Sequence, residues 1–261
     1  MKLLEVQSIT MQFGGLKAVD SLSFAINKGE LIGLIGPNGA GKTTVFNMLT
    51  GVYTPTQGDI LFDGASIKGQ KPYQISRRGV TRTFQNIRLF KHLTVLQNVM
   101  IAGGQHVHYG MTSAIFQTPK YRQAENSLTE KSLRLLSIFG LESKTQDEAG
   151  SLPYGDQRKL EIIRALATEP QLICLDEPAA GMNHQETHHL METIAKIRKD
   201  FGLTVLLIEH DMKLVMGICE RIVVLDHGVK IEEGTPQVIQ KSQKVIEAYL
   251  GTDTDLHGGT P

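Results

Sequence analysis

The residues from 36 to 44 read Gly36, Pro37, Asn38, Gly39, Ala40, Gly41, Lys42, Thr43 and Thr44. They fit the pattern G-x-x-x-x-G-K-[ST], with a short apolar run before them (ELIGLIG) and a helical pattern after them (TTVFNMLTG). Glycines let backbone N–H groups curl around phosphate oxygens, and a helix that starts there adds its positive end. Lys42 is placed to reach the β- and γ-phosphates, and Thr43 to offer its hydroxyl to Mg²⁺. A chance glycine-rich turn would not need a strand before it and a helix after it. The stretch reads as a loop for a nucleoside triphosphate.

A second segment, LICLDEP, ends an apolar run on two acids. Asp176, at the exit of a buried strand, can hold the hydration shell of Mg²⁺ beside the phosphates. Glu177 follows at the edge of the sheet where α/β ligands sit, and is placed to polarise an attacking water. The bland alternative is a solvated or salt-bridged surface glutamate. Two acids leaving one strand beside a phosphate loop favour the chemical reading.

The elements that must carry these groups follow from periodicity. The runs 30–36, 171–178, 203–210 and 221–228 are short, apolar and bounded by Gly, Pro or charge, as buried parallel strands are. Residues 1–28 and GDILFDG (58–64) alternate apolar with polar and predict an antiparallel side sheet. Between about 90 and 165 the strand signals give way to helical ones such as SLRLLSIFGL and QRKLEIIRALA. The expected fold is α/β: a nucleotide-binding core (1–89 and 166–235), an inserted helical subdomain (90–165), a C-terminal helix (236–250) and a disordered polar ending (251–261).

Composition limits the function classes. The 261 residues carry 27 Lys and Arg against 27 Asp and Glu, so bulk electrostatics give no reason to expect a nucleic-acid partner. Cys174 and Cys219 sit among apolar neighbours without metal-ligand spacing and read as buried, reduced thiols. Glu5 comes too early for a signal-peptide core, and no apolar run reaches the ~18 residues that span a bilayer. Work at a membrane would need another chain.

The P-loop, Gln85 in RTFQNI, the stretch SLPYGDQRK, LICLDEP and His210 in LLIEHDM occur in the order and approximate spacing of an ABC-transporter ATP-binding subunit. The chain resembles that family over roughly residues 3–250. The resemblance implies a P-loop NTPase (RecA-like) core with the antiparallel side sheet and helical subdomain already expected. It also implies ATP and Mg²⁺ as ligands. Gln85 would sense Mg²⁺ and face the membrane subunit, Glu177 would be the catalytic carboxylate, His210 would contact the γ-phosphate and Phe13 would stack on adenine. Bland roles stand beside these: a loop glutamine, a capping histidine favoured in its protonated form by Glu209 and Asp211, and a core phenylalanine.

Narrower features, DEPAAGMN, RTFQNIRLFKHLTVLQNVMIA and EEGTPQVIQKSQKVIEAYLG, look like the branched-chain amino-acid importer type (LivG-like). A urea or amide importer subunit would look much alike. The resemblance implies two transmembrane permease subunits, a second ATP-binding subunit in a homo- or heterodimer, an indirect extracytoplasmic solute-binding partner and a peripheral place on the cytoplasmic face of the membrane. The groove beside Gln85, with Arg88, Phe90 and Lys91, is the expected docking surface for a permease helix. The absence of an N-K-x-D motif argues against a GTPase. A non-transport ABC ATPase and an ATP-binding regulatory subunit remain as alternatives.

The signature pattern of the family, L-S-G-G-Q, is altered here to Leu152, Pro153, Tyr154, Gly155 and Asp156, with Ser151 before and Gln157 after. Proline supplies neither a hydroxyl nor an N–H. Gly155 and a helix N-terminus remain to meet the ATP of a partner subunit, with Ser151 as a substitute donor and Asp156 expected to point away.

Overall fold

The computed structural model describes residues 1–106 and 110–254. Among the described residues twenty strands and α-helices follow one another: β1 (Lys2–Phe13), β2 (Leu16–Asn27), β3 (Leu31–Ile35), α1 (Lys42–Leu49), β4 (Gln57–Phe62), β5 (Ala65–Ser66), α2 (Pro72–Arg77), β6 (Val80–Arg82), α3 (Val95–Gly103), α4 (Met111–Ile115), α5 (Pro119–Ile138), α6 (Tyr154–Ala167), β7 (Leu172–Asp176), α7 (His184–Phe201), β8 (Thr204–Ile208), α8 (Met212–Ile218), β9 (Arg221–Asp226), β10 (Val229–Gly234), α9 (Pro236–Lys241) and α10 (Gln243–Thr254).

They form two sheets. The larger has the order β10-β9-β3-β8-β7-β6, parallel throughout except for the β9–β10 hairpin at its edge. The smaller is antiparallel, β2-β1-β4-β5, and contains the two segments whose alternation predicted it. The parallel strands are buried on both faces, which is why their sequences read as unbroken apolar runs.

Side-chain alternation divides these strands between two cores. Ile173, Leu175, Val205, Leu207, Ile222 and Val224 face a core closed by α3, α5, α6 and α7. Leu172, Cys174, Leu206, Ile208, Val223 and Leu225 face the other, shared with Val45, Phe46 and Leu49 of α1 and the inner side of the small sheet. Each fully buried Leu or Ile contributes ~1.5–3 kcal/mol. The parallel sheet therefore anchors both the phosphate loop and the helical region to one frame.

Cys174 and Cys219 are free and buried, and burial pushes both thiols up to about 12. Among the described residues no helix is long and apolar enough to cross a membrane. Two elements were not expected. The strand β6 is only three residues long, too short to leave a periodic signal, and β10 carries Lys230, Glu232 and Glu233 on an edge where charge is tolerated. The C-terminal region also differs from expectation: it holds two helices, split where Ser242 breaks the pattern, and the second runs to Thr254 rather than ending in disorder after 250. The remainder of the expected tail, 255–261, and residues 107–109 of the insertion lie outside the described residues.

Candidate functional site

The phosphate loop joins β3 to α1. Its glycines Gly36, Gly39 and Gly41 all have positive φ. At Gly41 a Cβ would stand 2.5 Å from the carbonyl oxygen of Ala18, whereas at Gly39 it would meet open space. Gly41 is thus needed for close packing against β2, and Gly39 for the turn itself. Lys42 is buried, and its ammonium donates to the carbonyls of Gly36 at 2.7 Å and Pro37 at 2.9 Å. Burial lowers its pKa, while Glu177 and Asp176 act in the opposite direction. Ala40 is buried, Asn38 is exposed, and in the first turn of α1 Thr43 is exposed and Thr44 half-buried.

Asp176 ends β7 and is buried in an ion pair with Arg82 of β6, Oδ2 to Nη2 at 2.7 Å. Arg82 also donates to Asn47 of α1 at 2.5 Å and lies over the rings of Phe46 and Phe84. The backbone N–H of Asp176 donates to the Thr83 hydroxyl at 3.2 Å. Arg82 was not anticipated, because it lies 94 residues from the carboxylate that it orients.

Three predicted residues meet at the adjacent carboxylate. Glu177 Oε2 accepts from Gln85 Nε2 at 3.1 Å, and its Oε1 lies 2.5 Å from His210 Nε2. Glu177 has φ 48°, a left-handed conformation that costs a residue of its type ~1–3 kcal/mol. A bond from its N–H to the carbonyl of Ile208 at 2.9 Å helps to hold it there, between the ends of β7 and β8. The acids beside His210 are engaged elsewhere. Asp211 caps α8 through the N–H groups of Lys213 and Leu214, and Glu209 accepts from the N–H groups of Ala179 and His210. Burial raises the pKa of Glu209 despite those bonds. The carboxylate that reaches the imidazole is Glu177, which sequence proximity did not suggest.

The loop that carries Gln85 is held by α6. Arg158, 3% exposed, donates to the carbonyl of Phe84 at 2.9 Å and to that of Gln85, and its guanidinium meets the Tyr154 hydroxyl at 2.9 Å. Glu161, also buried, faces Arg158 at 3.4 Å and accepts from the N–H groups of Phe84 and Arg88, both at 3.4 Å. Burial raises the Glu161 pKa more than these partners lower it. One turn further, Arg164 donates to the Arg88 carbonyl and stacks on Phe90. Asn98 of α3 closes the other end, with its amide exchanging hydrogen bonds with both backbone groups of Phe90. Arg88, Phe90 and Lys91 are exposed along this braced loop.

The altered signature stands at the N-terminus of α6 with Pro153 as the residue before the first turn. Leu152 is buried and Pro153 and Tyr154 are exposed, the Tyr154 ring lying against Gly181. Gly155 faces Met182 and Glu186. Gln157 donates to the Leu152 carbonyl at 2.8 Å. Among the described residues no hydrogen bond or ion pair joins 151–157 to the phosphate loop of the same chain. Ser151 corrects one expectation, because its hydroxyl donates to the Glu148 carbonyl at 2.8 Å rather than standing free as a donor. Asp156 is clamped by Lys144 at 2.5 Å and Lys159 at 3.1 Å. Burial raises its pKa, but those two partners outweigh it and the net shift is downward.

That sign sets a pH dependence. A carboxyl with a lowered folded pKa contributes stability above its unfolded pKa and loses it as pH falls through the folded value. Asp156→Asn is expected to cost ~1 kcal/mol at pH 7, and the gap to the wild type should close below about pH 4. Thermal melts of both proteins from pH 7 to pH 3 would check this.

Phe13 lies at the tip of the β1–β2 hairpin, 42% exposed, with its ring edge-on to Tyr53 at 5.3 Å. It is therefore not a core residue.

The donor set suits the ligands that the motif implies. Glycine backbone, a lysine and a helix start fit phosphates. One buried carboxylate and one exposed hydroxyl beside them fit Mg²⁺, which takes one or two protein ligands and completes its shell with phosphate and water. Among the described residues no cluster of three or more His, Cys, Asp or Glu forms a protein-only metal site.

The chain is similar to known proteins over most of its length. Residues 19–180 match the family model described as ABC transporter, and residues 229–255 match that of the branched-chain amino acid ATP-binding cassette transporter. The chain is 47% identical over 249 residues to the high-affinity branched-chain amino acid transport ATP-binding protein BraF of Pseudomonas aeruginosa, covering 95% of this chain and 98% of that one. The identity and both coverages are the same for LivG of Escherichia coli. A crystal structure of a nucleotide-free ATP-binding cassette from an ABC transporter superposes with TM-score 0.82 at 30% identity, over 95% of this chain and 99% of that chain. The chain belongs to the ABC transporter family and is one of its ATP-binding, ATP-hydrolysing subunits.

Proposed function

We propose that this subunit powers an importer of branched-chain or other hydrophobic amino acids. The supporting observation is the match of its C-terminal region, 229–255, to the branched-chain amino acid model, because the P-loop core is common to carriers of many solutes. Urea or amide import is the alternative that the sequence left open. Purification of the chain with its membrane partners, followed by ATPase assays with leucine-loaded or urea-loaded solute-binding protein, would separate them. Stimulation by leucine is the expected result.

On this reading each residue has its own work. The P-loop amides and Lys42 bind the phosphates of ATP, and Phe13 stacks on the base. Thr43 and Asp176 would hold Mg²⁺, with Gln85 near its hydration shell, and Arg82 keeps the Asp176 carboxylate aimed. Mg²⁺, when bound, neutralises charge that develops on the phosphates. Glu177 accepts the proton of the attacking water. Gln85 and His210 fix its two oxygens in the nucleotide-free chain, and with ATP bound His210 would release Oε1 to contact the γ-phosphate.

Among the described residues no hydrogen bond or ion pair joins the signature residues 151–157 to their own phosphate loop, which supports a composite site completed across a dimer. The second ATP-binding subunit is a copy of this chain or a related one. The assembly has two permease subunits, and a helix of one of them docks on the Arg88, Phe90 and Lys91 surface beside Gln85 at the cytoplasmic face of the membrane. A solute-binding protein acts through those permeases. Closure of the dimer around ATP then moves the braced Gln85 loop and the permeases together.

Restoring the usual serine tests the composite site. Pro153→Ser adds a hydroxyl worth ~1 kcal/mol in a new hydrogen bond, or about fivefold in rate. It is expected to change turnover of the assembled transporter by that order and to leave ATP affinity of the isolated chain within about twofold. Equal loss of binding in the isolated chain would rule out a role toward the partner's nucleotide.

A further inference from the structure

Tyr154, the first residue of α6, stands where the signature pattern has a glycine, and its two ends meet two different loops. The ring lies against Gly181. A Cβ at that glycine would stand 2.7 Å from Cε1 and 3.3 Å from Cδ1 of Tyr154, and φ of 78° favours glycine there as well. The hydroxyl oxygen accepts from Arg158 twice, from Nε at 3.2 Å and from Nη2 at 2.9 Å.

Each of those loops carries one of the groups that meet at the catalytic carboxylate. Gly181 belongs to the turn that follows Glu177, in which the Ala180 N–H donates to the Glu177 carbonyl at 3.1 Å and the Met182 N–H to the Ala179 carbonyl at 3.0 Å. The near end of this turn is pinned by Glu209, which accepts from the Ala179 N–H at 3.1 Å. Its far end meets Tyr154. The other loop carries Gln85, and its carbonyls at Phe84 and Gln85 accept from the same Arg158 guanidinium. The contacts thus close a ring. Glu177 meets the Gln85 amide at 3.1 Å, the Gln85 backbone meets Arg158, Arg158 meets Tyr154, and Tyr154 meets Gly181, four residues along the chain from Glu177. A glycine at position 154 would open it at both of its last two links.

We infer that Tyr154 is a positioning residue for hydrolysis in its own chain: its ring and hydroxyl hold the Glu177 turn and the Gln85 loop in fixed relation. The inference rests on the reading of Glu177 as the base and Gln85 as its partner, and on no assignment of the transported solute. It gives one signature residue work at the home site, beside the work of its neighbours toward the ATP of a partner subunit. Misplacing a reacting group by about 1 Å can cost about 10²-fold in rate, so loosening one tie among several costs less than that.

Tyr154→Phe keeps the ring on Gly181 and takes the acceptor from Arg158, whose side chain is 4% exposed. In the assembled transporter, kcat for ATP hydrolysis should fall about five- to tenfold while KM for ATP stays within about twofold. Tyr154→Gly restores the usual glycine, cuts both ties and should lower kcat by about 10²-fold. In a Gln85→Ala background, Tyr154→Phe should cost less than about twofold, because the loop that it steadies no longer carries the amide. Equal losses in the two backgrounds would overturn the inference. An unchanged kcat in Tyr154→Phe would overturn it too, whether KM stayed the same or rose; a rise would give Tyr154 to the partner's nucleotide alone. Wild-type turnover in Gln85→Ala itself would instead remove the catalytic reading of Gln85, and the inference with it.

Discussion

Glu177→Gln is expected to lower ATP turnover by about 10²–10⁴-fold, the range that a positioned general base contributes. The change keeps shape and size. An amide can still receive the Gln85 N–H that now reaches Oε2 at 3.1 Å. It cannot take a proton from water. ATP binding depends on the P-loop amides and Lys42, and should stay within a few-fold of the wild type, so the variant should trap ATP unhydrolysed. Single-turnover assays on the assembled transporter, with nucleotide content read after rapid gel filtration, check both halves. Persistent turnover would move the role of base to another group. His210→Ala should be milder in binding and still slow in turnover, because it removes the partner that fixes Oε1.

The second large effect is structural and lies where no motif pointed. Arg158→Met is expected to cost about 3–5 kcal/mol, because it strands Glu161 as a buried charge without its partner. The side chains of Arg158 and Glu161 are 4% and 7% exposed. The Phe84 and Gln85 carbonyls lose a donor as well. At roughly 2–4 °C per kcal/mol for a chain of this size, the melting temperature should fall by roughly 6–20 °C. Adding Glu161→Gln to Arg158→Met should recover part of that loss, since it removes the stranded charge while retaining an acceptor. A double-mutant cycle on these two positions measures the coupling, and independent effects would contradict the buried pair. Because the same guanidinium positions the Gln85 loop, ATPase activity of whatever folds should fall too.

These two predictions mark how far the sequence can be read. The Glu177 assignment was available from LICLDEP alone, because a strand that ends on two acids is a contiguous signal. The phosphate loop was equally legible, since Gly36 to Thr44 are consecutive and their conformations are set locally by glycine. The buried strands announced themselves because burial on both faces admits only apolar residues. The side sheet did so because one-sided burial imposes a period of two.

What tertiary structure alone decided is which distant groups share a site. Gln85, Glu177 and His210 come from three segments and converge because parallel order puts their strand exits at one edge of the sheet. Arg82 answers Asp176 and Arg158 braces Phe84 and Gln85, each across at least 73 residues. No local pattern encodes such pairs, since an arginine on a strand or a helix has many possible partners. The same holds for Ser151 and Asp156, whose engagements with Glu148, Lys144 and Lys159 depended on how the turn before α6 closed. Chemistry that is carried by neighbours in the chain was determined by the sequence. Orientation, pKa and the bracing of loops were decided by packing, because they depend on distances that only the folded sheet and its helices set.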